Sequence, residues 1–174
     1  MTRKIFILPF LLITSGNSFC ADTNVIKGTY PLERMFKIKN LTFPRVLVYD
    51  QNGALIEKNK WPAELKEIAN NAGEAYCCVS DDESPGGEPP KDCKKVIYGE
   101  DMASHFNGLV NPNTGEEIHF EKLPKSKYLI VEYYAEWCAP CHGARKSLER
   151  FLKTDSAKNY TALIIDFTKM QKGK

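Results

Sequence analysis

The chain has 174 residues, of which 43% are hydrophobic and 26% are charged, and its formal net charge is +2 at pH 7. This length and composition suit one hydrophobic core, and we expect a single domain over residues 25–174. Removing Arg3 and Lys4 with a signal segment leaves 22 of the 24 basic residues, which equals the 22 acidic residues. A chain without net positive charge is not expected to bind nucleic acid.

Residues 1–20 have the pattern of a secretory signal peptide. Arg3 and Lys4 precede the apolar run 5–13, and small and polar residues follow it. A spanning helix needs roughly 20 apolar residues, so this run is too short to cross a bilayer. Cleavage after Ser18 or Cys20 satisfies the preference for a small residue there. We expect a periplasmic or secreted protein, and no lipid anchor, because a lipoprotein pattern is missing before Cys20.

The front of the chain predicts several short elements. They are a helix over 31–36 with Leu32, Met35 and Phe36 on one face, a strand over 45–50, a turn over 51–53, a returning strand over 54–58 and a helix over 62–72. Asn52-Gly53 is typical of a hairpin turn. Pro62 suits the first turn of the last helix, and Gly73 suits its end.

Three cysteines flank a loop in the middle of the chain. Residues 80–91 are rich in acidic residues, proline and glycine, which predicts a surface loop between Cys77-Cys78 and Cys93. A disulfide from Cys77 or Cys78 to Cys93 would contribute roughly 3 kcal/mol. The other vicinal thiol is then free or a redox partner for Cys138, and Cys20 is available as its partner only if signal cleavage precedes Cys20. Since the spacing lacks a paired Cys-x-x-Cys arrangement, no metal is expected.

The back half predicts a strand over 96–98, a helix over 101–110, a turn over 111–115, a strand over 128–135, a helix ending near Leu152 and a strand over 162–167. The strands 128–135 and 162–167 are continuously apolar, as expected of strands that are covered on both faces. His105 and His119 have no constellation of residues around them, and we assign them no role.

Two cysteines lie where the strand 128–135 turns into a helix. Cys138 falls at the helix start, beside unpaired N–H groups and the positive end of the dipole, which favour the nucleophilic thiolate. Cys141 follows one turn later, within reach of Cys138, so it can expel a substrate from a mixed disulfide. The spacing predicts thiol-disulfide exchange in which Cys138 attacks and Cys141 resolves.

The same cysteines also match a different motif. Cys138-Ala139-Pro140-Cys141-His142 has the Cys-x-x-Cys-His pattern of c-type haem attachment, which occurs in exported proteins. A haem electron carrier is therefore an alternative, although the motif follows a buried strand and only Met170 lies downstream as a second axial ligand. Our main hypothesis requires no cofactor.

The run LIVEYYAEWCAPC, from Leu129 to Cys141, closely resembles the active-site strand and turn of the thioredoxin family. The resemblance implies an α/β fold, a thioredoxin-like three-layer α/β/α sandwich with a mixed sheet. It also implies a thiol-disulfide oxidoreductase that acts on protein thiols or disulfides and exchanges electrons with a membrane or periplasmic thiol partner. The alternative within this fold is an interaction module whose cysteines form an inert disulfide.

The chain order departs from that family. Only seven residues follow Phe167, whereas a thioredoxin continues with a helix, a cis-proline, a hairpin and a final helix. Residues 30–73 resemble this second half, residues 96–174 resemble the active-site half, and residues 74–95 join them. We expect a circular permutation. Pro44 is then similar to the family's cis-proline, and the other interpretation is a trans proline that opens an edge strand.

The resemblance assigns further site residues. Glu132 falls where the family often has a buried acidic residue beneath the second cysteine, and a carboxylate there can take the proton of Cys141. The other interpretation places Glu132 on an outward-facing edge. Trp137 is expected to cover the cysteine pair, and the other interpretation is an ordinary core aromatic. With Phe43 and Pro44, Trp137 is expected to shape the substrate groove.

Overall fold

A computed structural model of the chain describes residues 24–38, 41–72, 77–78 and 101–173, apart from the side chains of 24, 77–78 and 171–173. Several predictions lie outside these residues. They are the signal peptide 1–20 with Cys20, the loop 80–91 with Cys93, and the strand over 96–98.

The described strands and helices follow one another in this order. They are β1 (Asn24–Thr29), α1 (Leu32–Met35), β2 (Thr42–Phe43), β3 (Arg45–Asp50), α2 (Lys66–Asn71), β4 (Cys77–Cys78), β5 (Tyr128–Tyr134), α3 (Ala139–Phe151) and β6 (Tyr160–Asp166). Short 3-10 helices cover Lys58–Lys60, Ala63–Leu65, Met102–Phe106, Phe120–Lys122, Asp155–Asn159 and Thr168–Gly173. Helices and a mixed sheet make this an α/β fold.

Four strands form the main sheet in the order β1-β6-β5-β3. β6 pairs in parallel with β1 and β5, and β3 pairs antiparallel with β5. β5 and β6 therefore occupy the centre, and their interior residues are buried. This confirms the prediction, made from their continuous apolar sequence, that both strands are covered on both faces.

The side chains of β5 alternate between two buried clusters. Leu129, Val131 and Tyr133 pack in one cluster, which also contains Cys138 and Cys141. Ile130 packs in the other, with Leu148 of α3 and Ile68 of α2. Because neighbouring residues of a strand point to opposite faces, Glu132 lies on the same face as Ile130.

The first helix differs from its prediction. Met35 is fully buried, but Leu32 is 45% exposed and Phe36 is 52% exposed. Since successive helical residues are rotated by about 100°, Met35 points well away from Phe36. The helix has a single turn and buries only one side chain, so the predicted apolar face is wrong.

The predicted hairpin is only partly formed. Gly53 has a φ of 80°, and the Asp50 carboxylate accepts the N–H groups of Asn52 and Ala54, which makes the turn. After the turn, Leu55 forms a single bridge to Tyr49, and the chain enters a 3-10 helix at Lys58. The returning strand over 54–58 is therefore wrong as a full strand, because polar residues from Glu57 onward give it no apolar face.

The other helices follow the prediction in part. The segment 62–72 is a 3-10 turn followed by α2, and Leu65, Ile68 and Ala72 are buried as expected. The helix expected over 101–110 is only the 3-10 segment Met102–Phe106.

Sequence analysis missed β1. Only Val25 and Ile26 are large apolar residues in this strand, which is too weak a pattern to predict it. Its pairing with β6 stabilises it instead. At Gly28 an added Cβ would lie 2.8 Å from the side chain of Leu109, so glycine permits this close approach.

Candidate active site

The cysteine pair lies at the end of the central strand. β5 ends at Tyr134, and α3 begins at Ala139 with Cys138 as its N-cap residue. The N–H of Cys141 donates to the carbonyl of Cys138 at 3.0 Å. The two Cα atoms are 5.3 Å apart, and the sulfurs lie at bonding distance as a disulfide. The predicted strand, turn and helix around these cysteines are therefore present.

Both cysteines are shielded from solvent. Cys138 is 2% exposed and Cys141 is fully buried, whereas Ala139 and Pro140 between them are exposed. Pro140 stands in the first turn of α3, where its missing N–H costs no helical hydrogen bond. Cys138 is thus the cysteine nearer to solvent and to the positive end of the helix dipole.

Phe43 links the front of the chain to the cysteine turn. Its ring centroid is 5.2 Å from that of Trp137 and 5.4 Å from that of Phe167, both in edge contacts. Phe43 is fully buried and shares a core cluster with both cysteines, while Trp137 is partly buried. Phe43 and Trp137 therefore lie together beside the pair.

Pro44 follows directly. The Phe43–Pro44 peptide bond is cis, and Pro44 is buried at the start of β3, an edge strand of the main sheet. The interpretation of Pro44 as a trans proline is therefore wrong. Pro44 does precede an edge strand, as that interpretation also expected.

The vicinal cysteines form a backbone pairing next to Phe43. In the two-stranded sheet of β2 and β4, Cys77 lies opposite Phe43 and Cys78 lies opposite Thr42. The side chains of Cys77 and Cys78, and the whole of Cys93, lie outside the described residues. The disulfide among these three cysteines stays a prediction.

Glu132 is buried inside the sheet, with 1% of the residue exposed. Its Oε2 accepts a hydrogen bond from Nη1 of Arg145 at 2.9 Å. Its Oε1 is buried and has no hydrogen-bond partner among the described residues. Burial raises the pKa of this carboxyl to about 7, against the lowering effect of Arg145. The interpretation of Glu132 as an outward-facing edge residue is wrong.

Arg145 was not singled out from the sequence. It stands four residues after Cys141 on α3, and its Nε donates to Glu149 at 2.9 Å while its guanidinium lies over the ring of Tyr134. The sequence contains a signal for Arg145, because it stands four residues after the buried Cys141 and residues four apart share a helix face. Without knowledge that Glu132 faces α3, a basic residue there is typical of a solvated surface.

His142 is exposed in the first turn of α3. Its Nε2 lies 2.9 Å from the carbonyl oxygen of Glu136 and donates to it, because a carbonyl only accepts. Its ring meets that of Tyr134 edge-on, with 6.0 Å between centroids.

The two other histidines differ in their surroundings. His105 is 1% exposed, and its two ring nitrogens lie at hydrogen-bond distance from the hydroxyls of Tyr49 and Tyr133. His119 is exposed, and its Nε2 lies 3.8 Å from a carboxylate oxygen of Glu117.

Across residues 24–38, 41–72, 77–78 and 101–173, no cluster of three metal-ligating side chains occurs. Within the same residues, no helix has the length and apolar character needed to cross a membrane.

Part of the chain is similar to a known protein. The chain is 30% identical over 56 residues to a protein named thioredoxin from Neurospora crassa. The match covers 32% of this chain and 43% of the relative, so the chain spans less than half of the relative's length. No family model matches the chain, and no solved structure matches it. The similarity and the cysteine pair together support a thioredoxin-like relationship.

Proposed function

We propose that this protein is an exported thiol-disulfide oxidoreductase that acts on protein disulfides or thiols. The observation that carries the proposal is the cysteine pair, held at disulfide-bonding distance across the first turn of α3. Cys138 lies at the N-terminus of that helix, where the dipole favours a thiolate. The similarity to a thioredoxin supports the same chemistry.

The proposed cycle exchanges two electrons. The thiolate of Cys138 attacks a substrate disulfide, forms a mixed disulfide and releases the first substrate sulfur as a thiolate. Cys141 then loses its proton and attacks Cys138, which forms the internal disulfide and releases the second substrate thiolate. The substrate disulfide is reduced, and the cysteine pair is oxidised. The reverse sequence oxidises a substrate dithiol.

Glu132 is the proposed base for Cys141. It is buried on the α3 side of β5 and bound to a residue one turn after Cys141. A pKa of about 7 lets this carboxyl take up and return a proton near neutral pH. A general base of this kind contributes on the order of 10²-fold to a rate.

Trp137, Phe43 and Pro44 form the proposed substrate groove. Supporting this, Phe43 contacts Trp137 and belongs to the core cluster of both cysteines. The resemblance to the thioredoxin family gives the residue at Pro44 the task of holding an extended substrate. Because Phe43 and Pro44 are buried while Trp137 is only partly buried, we propose that an extended segment around the substrate disulfide lies along Trp137, with Phe43 and Pro44 forming the floor beneath it.

The proposed architecture is a circularly permuted thioredoxin-like α/β/α sandwich. β3 precedes β5 in the chain, yet it pairs antiparallel with β5, as the family's later strand would. α2 follows β3 and packs with α3 in one buried cluster, as the family's last helix would. The front segment thus supplies the elements that the family places after the active-site half.

The proposed location is the periplasm or the exterior, after removal of residues 1–20 and without a lipid anchor. Its redox state would be restored by a membrane or periplasmic thiol protein. This assignment rests on the signal-peptide pattern around Arg3 and Lys4 and on the cysteine chemistry.

The test is turnover of a protein disulfide by the reduced protein, compared with Cys138→Ser and Cys141→Ser. We expect no turnover from either variant, and accumulation of mixed disulfides only in Cys141→Ser, because attack survives while resolution does not. Mass spectrometry under non-reducing conditions identifies the trapped species. Equal behaviour of all three proteins would instead indicate a redox-inert interaction module.

A further inference from the structure

The carboxylate of Glu132 has two oxygens in different environments. Oε2 lies 2.9 Å from Nη1 of Arg145, and Oε1 is buried with no hydrogen-bond partner in the described part of the chain. Burial of a carboxylate oxygen without a hydrogen-bond partner costs free energy, so its presence in a folded protein calls for a physical explanation. Uptake of a proton at Oε1 would turn it into a donor and remove the negative charge.

Arg145 is held in place from several sides. Its Nε donates to Glu149, its Nη1 donates to Glu132, and its guanidinium lies 5.5 Å from the ring centroid of Tyr134. Its side chain is only 18% exposed. A guanidinium has donors only and keeps its proton at all physiological pH values. It therefore stabilises the carboxylate of Glu132 but cannot relay the proton.

Arg145, which binds Glu132, stands on the same helix as the resolving cysteine. Cys141 and Arg145 are four residues apart on α3, so their side chains lie on one face of the helix, with Cβ atoms about 5–6 Å apart. Cys141 and Glu132 are both buried. The helix that carries the thiol thus also fixes the carboxylate.

We propose that Arg145 is the positioning residue of the resolving step. It binds Oε2 of Glu132, and thereby leaves Oε1 as the atom that accepts the proton of Cys141. This inference rests on the proposed function. The proton moves from Sγ of Cys141 to Oε1, directly or through one water. Sγ of Cys141 then bonds to Sγ of Cys138, and the substrate sulfur leaves with the electron pair of the broken bond.

The charges that face Glu132 define the expected pH dependence. Arg145 lowers its pKa and Glu149 raises it, and both lie on α3. Tyr134 is the titratable neighbour on β5 itself. The neighbouring strands place apolar residues opposite Glu132, Val46 on β3 and Ile164 on β6. On α2, the carboxylate of Glu67 forms an ion pair with Arg150. Arg145 is therefore the favourable charge whose removal should matter most.

The experiment separates attack from resolution. Reduced protein reacts with 5,5′-dithiobis(2-nitrobenzoate), whose first coloured thiolate reports attack by Cys138 and whose second reports resolution by Cys141. Cys138→Ser and Cys141→Ser assign the two phases against the background of the other cysteines. The pH profile of the second phase is measured for wild type, Arg145→Met, Arg145→Lys and the control Glu149→Gln.

In Arg145→Met we expect the second phase to slow about tenfold at pH 7, and its midpoint to move to higher pH, while the first phase is unchanged. Arg145→Lys keeps the charge and should retain the wild-type midpoint. Glu149→Gln removes an exposed carboxylate and should move the midpoint slightly to lower pH. In a Glu132→Gln background, Arg145→Met should have no further effect on the second phase.

The outcomes are distinguishable. A wild-type protein without a second phase would overturn the proposed function. A normal second phase whose midpoint is the same in wild type and Arg145→Met would overturn only the role of Arg145. If Arg145→Met does not fold, as judged by circular dichroism, Arg145→Gln replaces it, because this variant also removes the charge beside Glu132; an unchanged midpoint in Arg145→Gln would overturn the role equally.

Discussion

The imidazole of His105 lies beside the hydroxyl of Tyr49, with 2.6 Å between Nε2 and the phenol oxygen. Its Nδ1 lies 2.8 Å from the hydroxyl of Tyr133, and the ring is buried. Burial, with the charge of Arg45, lowers the pKa of His105 to about 4. A neutral imidazole has one donor and one acceptor nitrogen, which suits two hydroxyl partners.

His105 should make the protein more stable at neutral than at acidic pH. Its pKa is 6.5 when unfolded and about 4 when folded, so the unfolded chain binds more protons in this range. The contribution, about 3 kcal/mol at most, is complete above pH 6.5 and is lost as the pH falls through 4. In urea unfolding, the free energy of unfolding of the wild type should exceed that of His105→Gln by more at pH 7.5 than at pH 4.5. A difference independent of pH would contradict this.

Glu132 should have the opposite pH dependence. Its pKa is 4.5 when unfolded and about 7 when folded, so the folded protein binds more protons between these values. The stability that Glu132 contributes is therefore complete below pH 4.5 and is lost as the pH rises through 7. Relative to Glu132→Gln, the oxidised wild type should lose free energy of unfolding from pH 4.5 to 8. A gain over this range would refute the assignment.

Two glycines should respond oppositely to alanine. At Gly28 the new Cβ would lie 2.8 Å from the buried side chain of Leu109, and we expect a loss of about 1–3 kcal/mol in the free energy of unfolding. At Gly143 in α3 the added Cβ would meet no atom within 4 Å apart from the backbone of its own helix and its chain neighbours, and we expect a gain of about 0.5–1 kcal/mol in the free energy of unfolding. Thermal unfolding of both variants tests the pairing of β1, and equal effects would count against it.

The loop cysteines should carry a structural disulfide. Peptide mapping of exported, unreduced protein should find Cys93 linked to Cys77 or Cys78. Cys93→Ser should lower the free energy of unfolding by roughly 3 kcal/mol, because it releases a loop of about 15 residues. Cys138→Ser is the control for loss of the other pair. A free Cys93 in the oxidised protein would refute the prediction.

Export in a haem-maturing host should give colourless protein. His142 donates Nε2–H to the carbonyl of Glu136 and packs against Tyr134, so its ring is already engaged. We expect no covalent haem mass and no strong absorption near roughly 410 nm. A stable red product would replace the proposed function by electron transfer through a c-type haem.

The strongest sequence patterns predicted the elements around the cysteines. β5, α3 and β6 follow from continuous apolar runs and from the cysteine turn between them, because burial on both faces leaves a clear pattern. Pattern alone did not predict β1, whose stability comes from β6, or the exposure of Leu32 and Phe36 on a single helical turn. The contacts of His105 and Arg145 depend on residues distant in sequence, so no local pattern reveals them.

The sheet order has a consequence for the order in which the chain folds. Thr29 of β1 donates its hydroxyl to the carbonyl of Asp166, across 137 positions of sequence. β1 can pair only after β6 has been synthesised, and β3 only after β5, so the strands of the sheet that are made first have no partner until those later residues exist. Such distant pairing slows folding. The nascent chain should therefore stay protease-sensitive until residue 166 has emerged from the ribosome.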